Sequence, residues 1–150
     1  MYEHIKFKNA INMRKANYDK FPSTKLTGML VQGWDSIISM LKKKMDARKV
    51  LAVDLYTGVY EEEVLDAFSK EFSGRVMNVR DLMKPEKEIQ TLTERFMTED
   101  VLFGYVTNLK LEDYLDADKV AAARKQISEA KETIVIIGTG ASVVAPQDAM

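Results

Sequence analysis

Lys49–Phe68 reads KVLAVDLYTGVYEEEVLDAF, and no other stretch restricts the fold as much. Val50, Leu51, Ala52, Val53 and Leu55 make a short apolar run of strand length. Thr57 and Gly58 interrupt it, and glycine tolerates the positive φ that a sharp strand-to-helix turn often needs. Glu61, Glu62 and Glu63 follow, where acidic side chains suit the positive end of a helix dipole. Val64, Leu65 and Phe68 then recur at helical spacing. A continuously apolar strand feeding an amphipathic helix predicts a parallel sheet covered by helices.

The same junction is where a nucleotide-binding P-loop would lie. That loop needs two glycines for close backbone approach, a lysine for the phosphates and a hydroxyl for magnesium. Asp54-Leu55-Tyr56-Thr57-Gly58-Val59-Tyr60-Glu61 has one glycine and no lysine, and three glutamates sit where phosphate would go. The stretch reads as a plain strand, turn and helix rather than a working phosphate loop, with a remnant of such a loop as a further reading.

Residues 1–33 show no clear period and read as an N-terminal arm, followed by an α/β domain over residues 34–150. Pro22 biases Phe21 away from helix, and Tyr18 and Phe21 are expected to pack as anchors of the arm. Trp34–Met45 predicts a helix with Trp34, Ile37, Ile38, Leu41 and Met45 on one face, Asp35 near its start and Lys42, Lys43 and Lys44 near its end. After the helix Glu61–Phe72, Ser73-Gly74 is a stop signal, and Arg75–Val79 predicts a second strand that completes a βαβ unit. Asp81 follows it, either as a cap of the next turn or as a ligand group at a strand end. A helix opening at Pro85 is expected to bury Ile89, Leu92, Phe96 and Met97. Val101–Val106 is an apolar segment, a short strand or a packed irregular loop, and Leu111–Leu115 reads as a single helical turn. Asp116 or Asp118 caps a helix through Lys131 whose inner side is Val120, Ala123, Arg124, Ile127 and Ala130.

Thr133–Ile137 is the strongest strand in the chain and runs into Gly138-Thr139-Gly140-Ala141-Ser142. A dinucleotide fingerprint would place a third glycine at position 143, which is Val, and Pro146 interrupts soon after. A tight turn with close backbone approach is the favoured reading. Backbone N–H groups of Gly138, Gly140 and Ser142 remain candidate phosphate donors.

The chemistry is bounded by what the chain carries. Its 150 residues include 22 basic and 23 acidic side chains, a net charge of −1 that leaves no electrostatic footprint for nucleic acid. There is no cysteine and one histidine, His4, too few for the usual zinc sets or for histidine-based nucleophilic catalysis. The first fifteen residues lack the unbroken apolar core of a secretion signal, and no run approaches membrane-span length. A cytoplasmic protein without a membrane or nucleic-acid partner is expected. Three strong strands are fewer than a typical sheet holds, so the domain is expected to be incomplete at its C-terminal end.

Several segments carry a family likeness. They are Tyr18-Asp19-Lys20-Phe21-Pro22-Ser23-Thr24, Gly33-Trp34 opening a helix, Val53–Val59 followed by Glu61-Glu62-Glu63, Leu102-Phe103-Gly104, and Ile137–Ser142 leading to Ala145-Pro146. Together they resemble the N-terminal α/β domain that precedes the cupin domain in two-domain bacterial mannose-6-phosphate isomerase-like proteins. The resemblance implies a three-layer sandwich with a mainly parallel sheet, like that of P-loop nucleoside and nucleotide kinases with a degenerate phosphate loop. It also implies a polypeptide that interconverts mannose 6-phosphate and fructose 6-phosphate, an aldose–ketose isomerisation. Catalysis would belong to the absent cupin domain, which would be the partner of this segment and hold zinc through His and Glu. No catalytic or metal-binding residue carries over to this chain.

Three functions follow: a non-catalytic or regulatory domain of such an isomerase; a stand-alone nucleotide- or sugar-phosphate-binding protein; and a kinase. The binding protein would use Asp54, Tyr56, Thr57 and Gly58 from one loop and Gly138, Thr139, Gly140 and Ser142 from the other, provided their strands are neighbours. The kinase would use Asp54 as base and Arg80 as phosphate clamp, with Lys49 or Arg80 standing in for the missing lysine.

Overall fold

Ile134, Val135, Ile136 and Ile137 are all but inaccessible to solvent, at 1%, 0%, 0% and 0% exposure. A strand this apolar on both sides is stable only at the centre of a sheet covered on both faces. That is its place in the computed structural model, which describes residues 18–25, 27–45, 49–100, 102–147 and 149–150. The chain divides into two compact units, Met1–Leu30 and Val31–Met150. The described part of the first has no helix or strand, and the Asp19 carboxylate accepts from the Phe21 N–H at 2.9 Å. Tyr18 and Phe21, expected to pack, are 80% and 77% exposed.

The second unit is α/β. Its elements are α1 (Trp34–Met45), β1 (Val50–Asp54), α2 (Glu61–Glu71), β2 (Arg75–Asn78), a 3-10 turn (Val79–Leu82), α3 (Glu86–Glu94), a second 3-10 turn (Leu111–Tyr114), α4 (Ala117–Glu129), β3 (Ile134–Gly138) and α5 (Ala141–Val144). The three strands form one parallel sheet in the order β1-β3-β2, with Leu51 opposite Val135 and Val76 opposite Val135 on the other side. The expected βαβ unit is therefore split: β3, the last strand in sequence, lies between β1 and β2. The physical reason is burial. Arg75 of β2 and Asp54 of β1 are exposed, while β3 has nothing to present to water.

Alternation along β3 builds two cores. Val135 and Ile137 face one side, with Leu51, Ile38 and Met45 of α1, and Val64, Phe68 and Phe72 around α2. Ile134 and Ile136 face the other, with Val120, Ala123 and Ile127 of α4 and Ala141 and Val144 of α5. In the first core Phe68 stacks on Phe72 at 5.5 Å and meets the edge of Trp34 at 6.3 Å. In the second, Asp116 rather than Asp118 caps α4, accepting from the N–H groups of Asp118 and Lys119 at 3.0 and 3.1 Å.

Other expectations shift. β2 stops at Asn78, whose side chain accepts from the Arg80 N–H at 2.8 Å; Asn78, not Asp81, is the cap of the turn. Pro85 precedes α3 as its cap rather than opening it, and none of the stripe Ile89, Leu92, Phe96 and Met97 is fully buried, Met97 being 70% exposed. Arg124, expected on the inner side of α4, is exposed, and its guanidinium donates to the Val143 carbonyl of α5 at 2.8 Å. Within the apolar segment Val101–Val106, of which Val101 lies outside the described residues, Leu102, Phe103, Tyr105 and Val106 are 70–96% exposed in an irregular loop. The loop is held by local hydrogen bonds, Tyr105 N–H to Phe96 C=O at 2.8 Å and Asp100 Oδ1 accepting from the Leu102 and Phe103 N–H groups.

Candidate functional site

In an open parallel sheet, the loops leaving the C-terminal ends of neighbouring strands share a crevice. β1 and β3 are neighbours, so their following loops stand side by side. Asp54 is the last residue of β1 and is paired with Gly138, the last of β3. Its carboxylate reaches into the turn after β3. Oδ1 accepts from the N–H groups of Gly140 at 2.7 Å and Ala141 at 3.0 Å, and Oδ2 accepts from Ser142 at 3.0 Å. The Thr139 hydroxyl donates to the Leu55 carbonyl at 3.0 Å, and Leu55 N–H donates to the Gly138 carbonyl at 3.3 Å.

Two glycines make this geometry possible. Gly138 has φ of +135°, and a Cβ there would lie 2.9 Å from Cβ of Val79. The turn following β2 therefore packs directly on the end of β3. Gly140 takes the left-handed conformation, φ +87°, which turns the three successive N–H groups of Gly140, Ala141 and Ser142 toward one point. That point is occupied by Asp54.

Burial raises the pKa of Asp54, but the Ser142 side chain and the Ser142, Gly140 and Ala141 backbone donors outweigh it and leave the carboxyl below its ordinary value. The group is ionised at neutral pH. In that form it serves as the acceptor for the Gly140, Ala141 and Ser142 N–H groups.

Of the expected binding residues, the fold thus joins Asp54, Gly138, Thr139, Gly140 and Ser142 in one hydrogen-bonded lock. Tyr56, Thr57 and Gly58 stand apart, in the exposed turn between β1 and α2, with Tyr56 at 86% exposure. Arg80 is engaged by Glu61 at the start of α2, 3.1 Å from Oε2. Lys49 precedes β1 and Arg80 follows β2; in a parallel sheet these are opposite ends, so Lys49 cannot supply charge at the strand-end crevice.

Sequence reasoning missed the Ala141 N–H and the Glu61–Arg80 pair. No local signal announces either. Asp54 and Ala141 are 87 residues apart, and their meeting depends on β3 lying beside β1. Among the described residues, no group of three His, Asp or Glu side chains converges to hold a metal ion.

Residues 33–150 match the family described as a domain of unknown function, DUF8485. The chain belongs to the DUF8485 family. The matched span takes in α1 and both strand-end loops, so the Asp54 lock lies wholly within the DUF8485 domain. No curated protein and no solved structure matches the chain. Among the described residues, no helix is long and apolar enough to cross a membrane.

Proposed function

We propose that this chain is a non-catalytic domain whose strand-end crevice has become a structural lock. The observation that carries the reading is the seating of Asp54 on the Gly140, Ala141 and Ser142 N–H groups. These are the donors that an anionic ligand would need, and a carboxylate of the chain itself takes all three. A phosphate entering there would have to displace an ionised group held by charge-assisted hydrogen bonds. The neighbouring cation, Arg80, is already matched by Glu61.

The finer reading is a P-loop kinase-like domain with an eroded phosphate loop. Its supports are the passage from β1 through a turn into α2, the all-parallel sheet with helices on both faces, and the three glutamates that open α2. In the same proposal the domain serves a longer mannose-6-phosphate isomerase-like polypeptide, scaffolding or regulating a metal-binding cupin domain that performs the isomerisation.

Thermal denaturation with millimolar ATP, mannose 6-phosphate or fructose 6-phosphate tests the first part. A ligand at a hundred times its dissociation constant stabilises the native state by about 2.7 kcal/mol, several degrees for a domain of this size. The expected result is an unchanged melting temperature with all three. A saturable rise with any of them would overturn the lock and support a stand-alone nucleotide- or sugar-phosphate-binding protein. Isomerase activity in the whole native polypeptide, lost on chelation and absent from residues 34–150, tests the second part; a native polypeptide without isomerase activity would remove it.

A further inference from the structure

β1 is an edge strand, and its outer side is already partly taken. Met150 N–H donates to the Val50 carbonyl at 3.0 Å, and Ala52 N–H donates to the Met150 carbonyl at 2.8 Å. A residue bonded to the two positions that flank one residue of its neighbour is the repeating unit of a parallel ladder. The register places Met150 opposite Leu51. The side chains agree: Met150 packs on the core that contains Leu51, as residues opposite each other in a sheet must share a face.

The pairing has a direction in which to grow. Lys49 C=O accepts from Ile134 and Leu55 N–H donates to Gly138, so odd-numbered residues of β1 bond toward β3 and even-numbered ones face the outer edge. Beyond the two groups that Met150 holds, the next on that edge are the Ala52 carbonyl and the Asp54 N–H.

We propose that the outer edge of β1 takes a fourth parallel strand, supplied by the polypeptide continuing from Met150, in the register that Met150 sets against Leu51. This rests on the reading of the chain as a domain of a longer polypeptide and goes further by naming the surface that polypeptide occupies. Two residues past Met150, the main chain accepts from Asp54 N–H and donates to Ala52 C=O. The intervening residue turns its side chain to the α4 face. It stands opposite Ala52, which packs against the core that α4 covers. The fourth strand also makes β1 an interior strand, so the edge carrying Asp54 is no longer open to pairing with other chains.

The test is amide hydrogen exchange on the native polypeptide, its intact mass measured alongside, compared with the chain ending at Met150. Leu55 N–H, bonded to Gly138, is the internal reference. The expected result is a native mass well above 17.1 kDa and an Asp54 amide that exchanges at least a hundredfold more slowly there than in the shorter chain, at a rate independent of protein concentration. A longer native polypeptide whose Asp54 amide exchanges as fast as in the shorter chain overturns the fourth strand and leaves the domain reading standing. A native mass equal to that of this chain removes both. Slowing that appears only at high concentration assigns the edge to a second copy and overturns the proposal.

Discussion

Asp54 does for α5 what a capping residue does for a helix within one turn of sequence, but from a strand 86 residues away. Asp54→Ala leaves three N–H groups without their acceptor. The residue is partly open to water, which replaces some of what is lost, so the expected destabilisation is about 1 kcal/mol, read from urea denaturation. The pH dependence follows from the depressed pKa. A carboxyl held below its unfolded value stabilises the native state fully above the ordinary aspartate range and loses that contribution as pH falls through its folded value. The stability gap between wild type and Asp54→Ala should therefore be flat from pH 6 to 8 and close only below about pH 4. A gap that widened in acid would show that Asp54 is not held as an ionised acceptor. Gly138 makes a second residue-scale prediction. Gly138→Ala meets both a positive φ and the side chain of Val79, and about 2–3 kcal/mol of destabilisation is expected. Adding Val79→Gly removes the Cβ that the new methyl meets but not the backbone strain at Gly138, so Gly138→Ala should cost less in that background; an equal cost in both would mean that the Val79 side chain is not what the new methyl meets.

At the scale of elements, legibility in the sequence follows the range of the forces. α1 was readable to its last residue because Ile38 and Met45 recur at helical spacing and its charges suit the helix dipole. β1, β2 and β3 were readable as apolar runs. Strand order was not, because hydrophobicity says that β3 is buried but not which strands flank it. The loop after α3 is irregular, one of the two forms expected, but not packed: Leu102, Phe103, Tyr105 and Val106 have the composition of a packed segment, yet against the described residues they are exposed. The Asp54 lock was half legible. Each loop was singled out for its position at a strand end, while the contact between them depended on the unread order. Packing energies belong to this scale as well. Phe68, 1% exposed and touching both Trp34 and Phe72, anchors α2 to α1; Phe68→Ala should cost about 3–5 kcal/mol in chemical denaturation. Asp116→Ala, which uncaps α4, should cost only about 1 kcal/mol.

For the whole molecule, the central position of β3 makes the sheet one cooperative object. β1 and β2 each pair with β3 and not with each other. Ile136→Ala opens a cavity at the sheet centre and should destabilise by about 2–5 kcal/mol. Hydrogen exchange in that variant should rise in β1 and β2 together. A rise confined to one edge would mean that the two halves of the sheet unfold separately. The same centrality bears on the proposed role. A domain whose crevice is tied shut by Asp54 and whose two cores meet at one strand is suited to holding a fixed shape rather than to closing around a ligand.

The strand that joins the others is also the last of the three to be synthesised. β1 and β2 leave the ribosome with nothing in the sheet to pair with, and about sixty more residues must be added after Asn78 before β3 is complete. At roughly 5–20 residues per second that interval is on the order of 3–12 seconds. Throughout it, Leu51, Val53 and Val76 belong to strands with two open edges, the condition under which chains pair wrongly with one another. Local helices, α1 and α2 with Trp34 and Phe68 between them, are the structure available to shelter β1 during that time. The arrival of β3 then closes both ladders at once, and Asp54 finds its three donors within the next four residues.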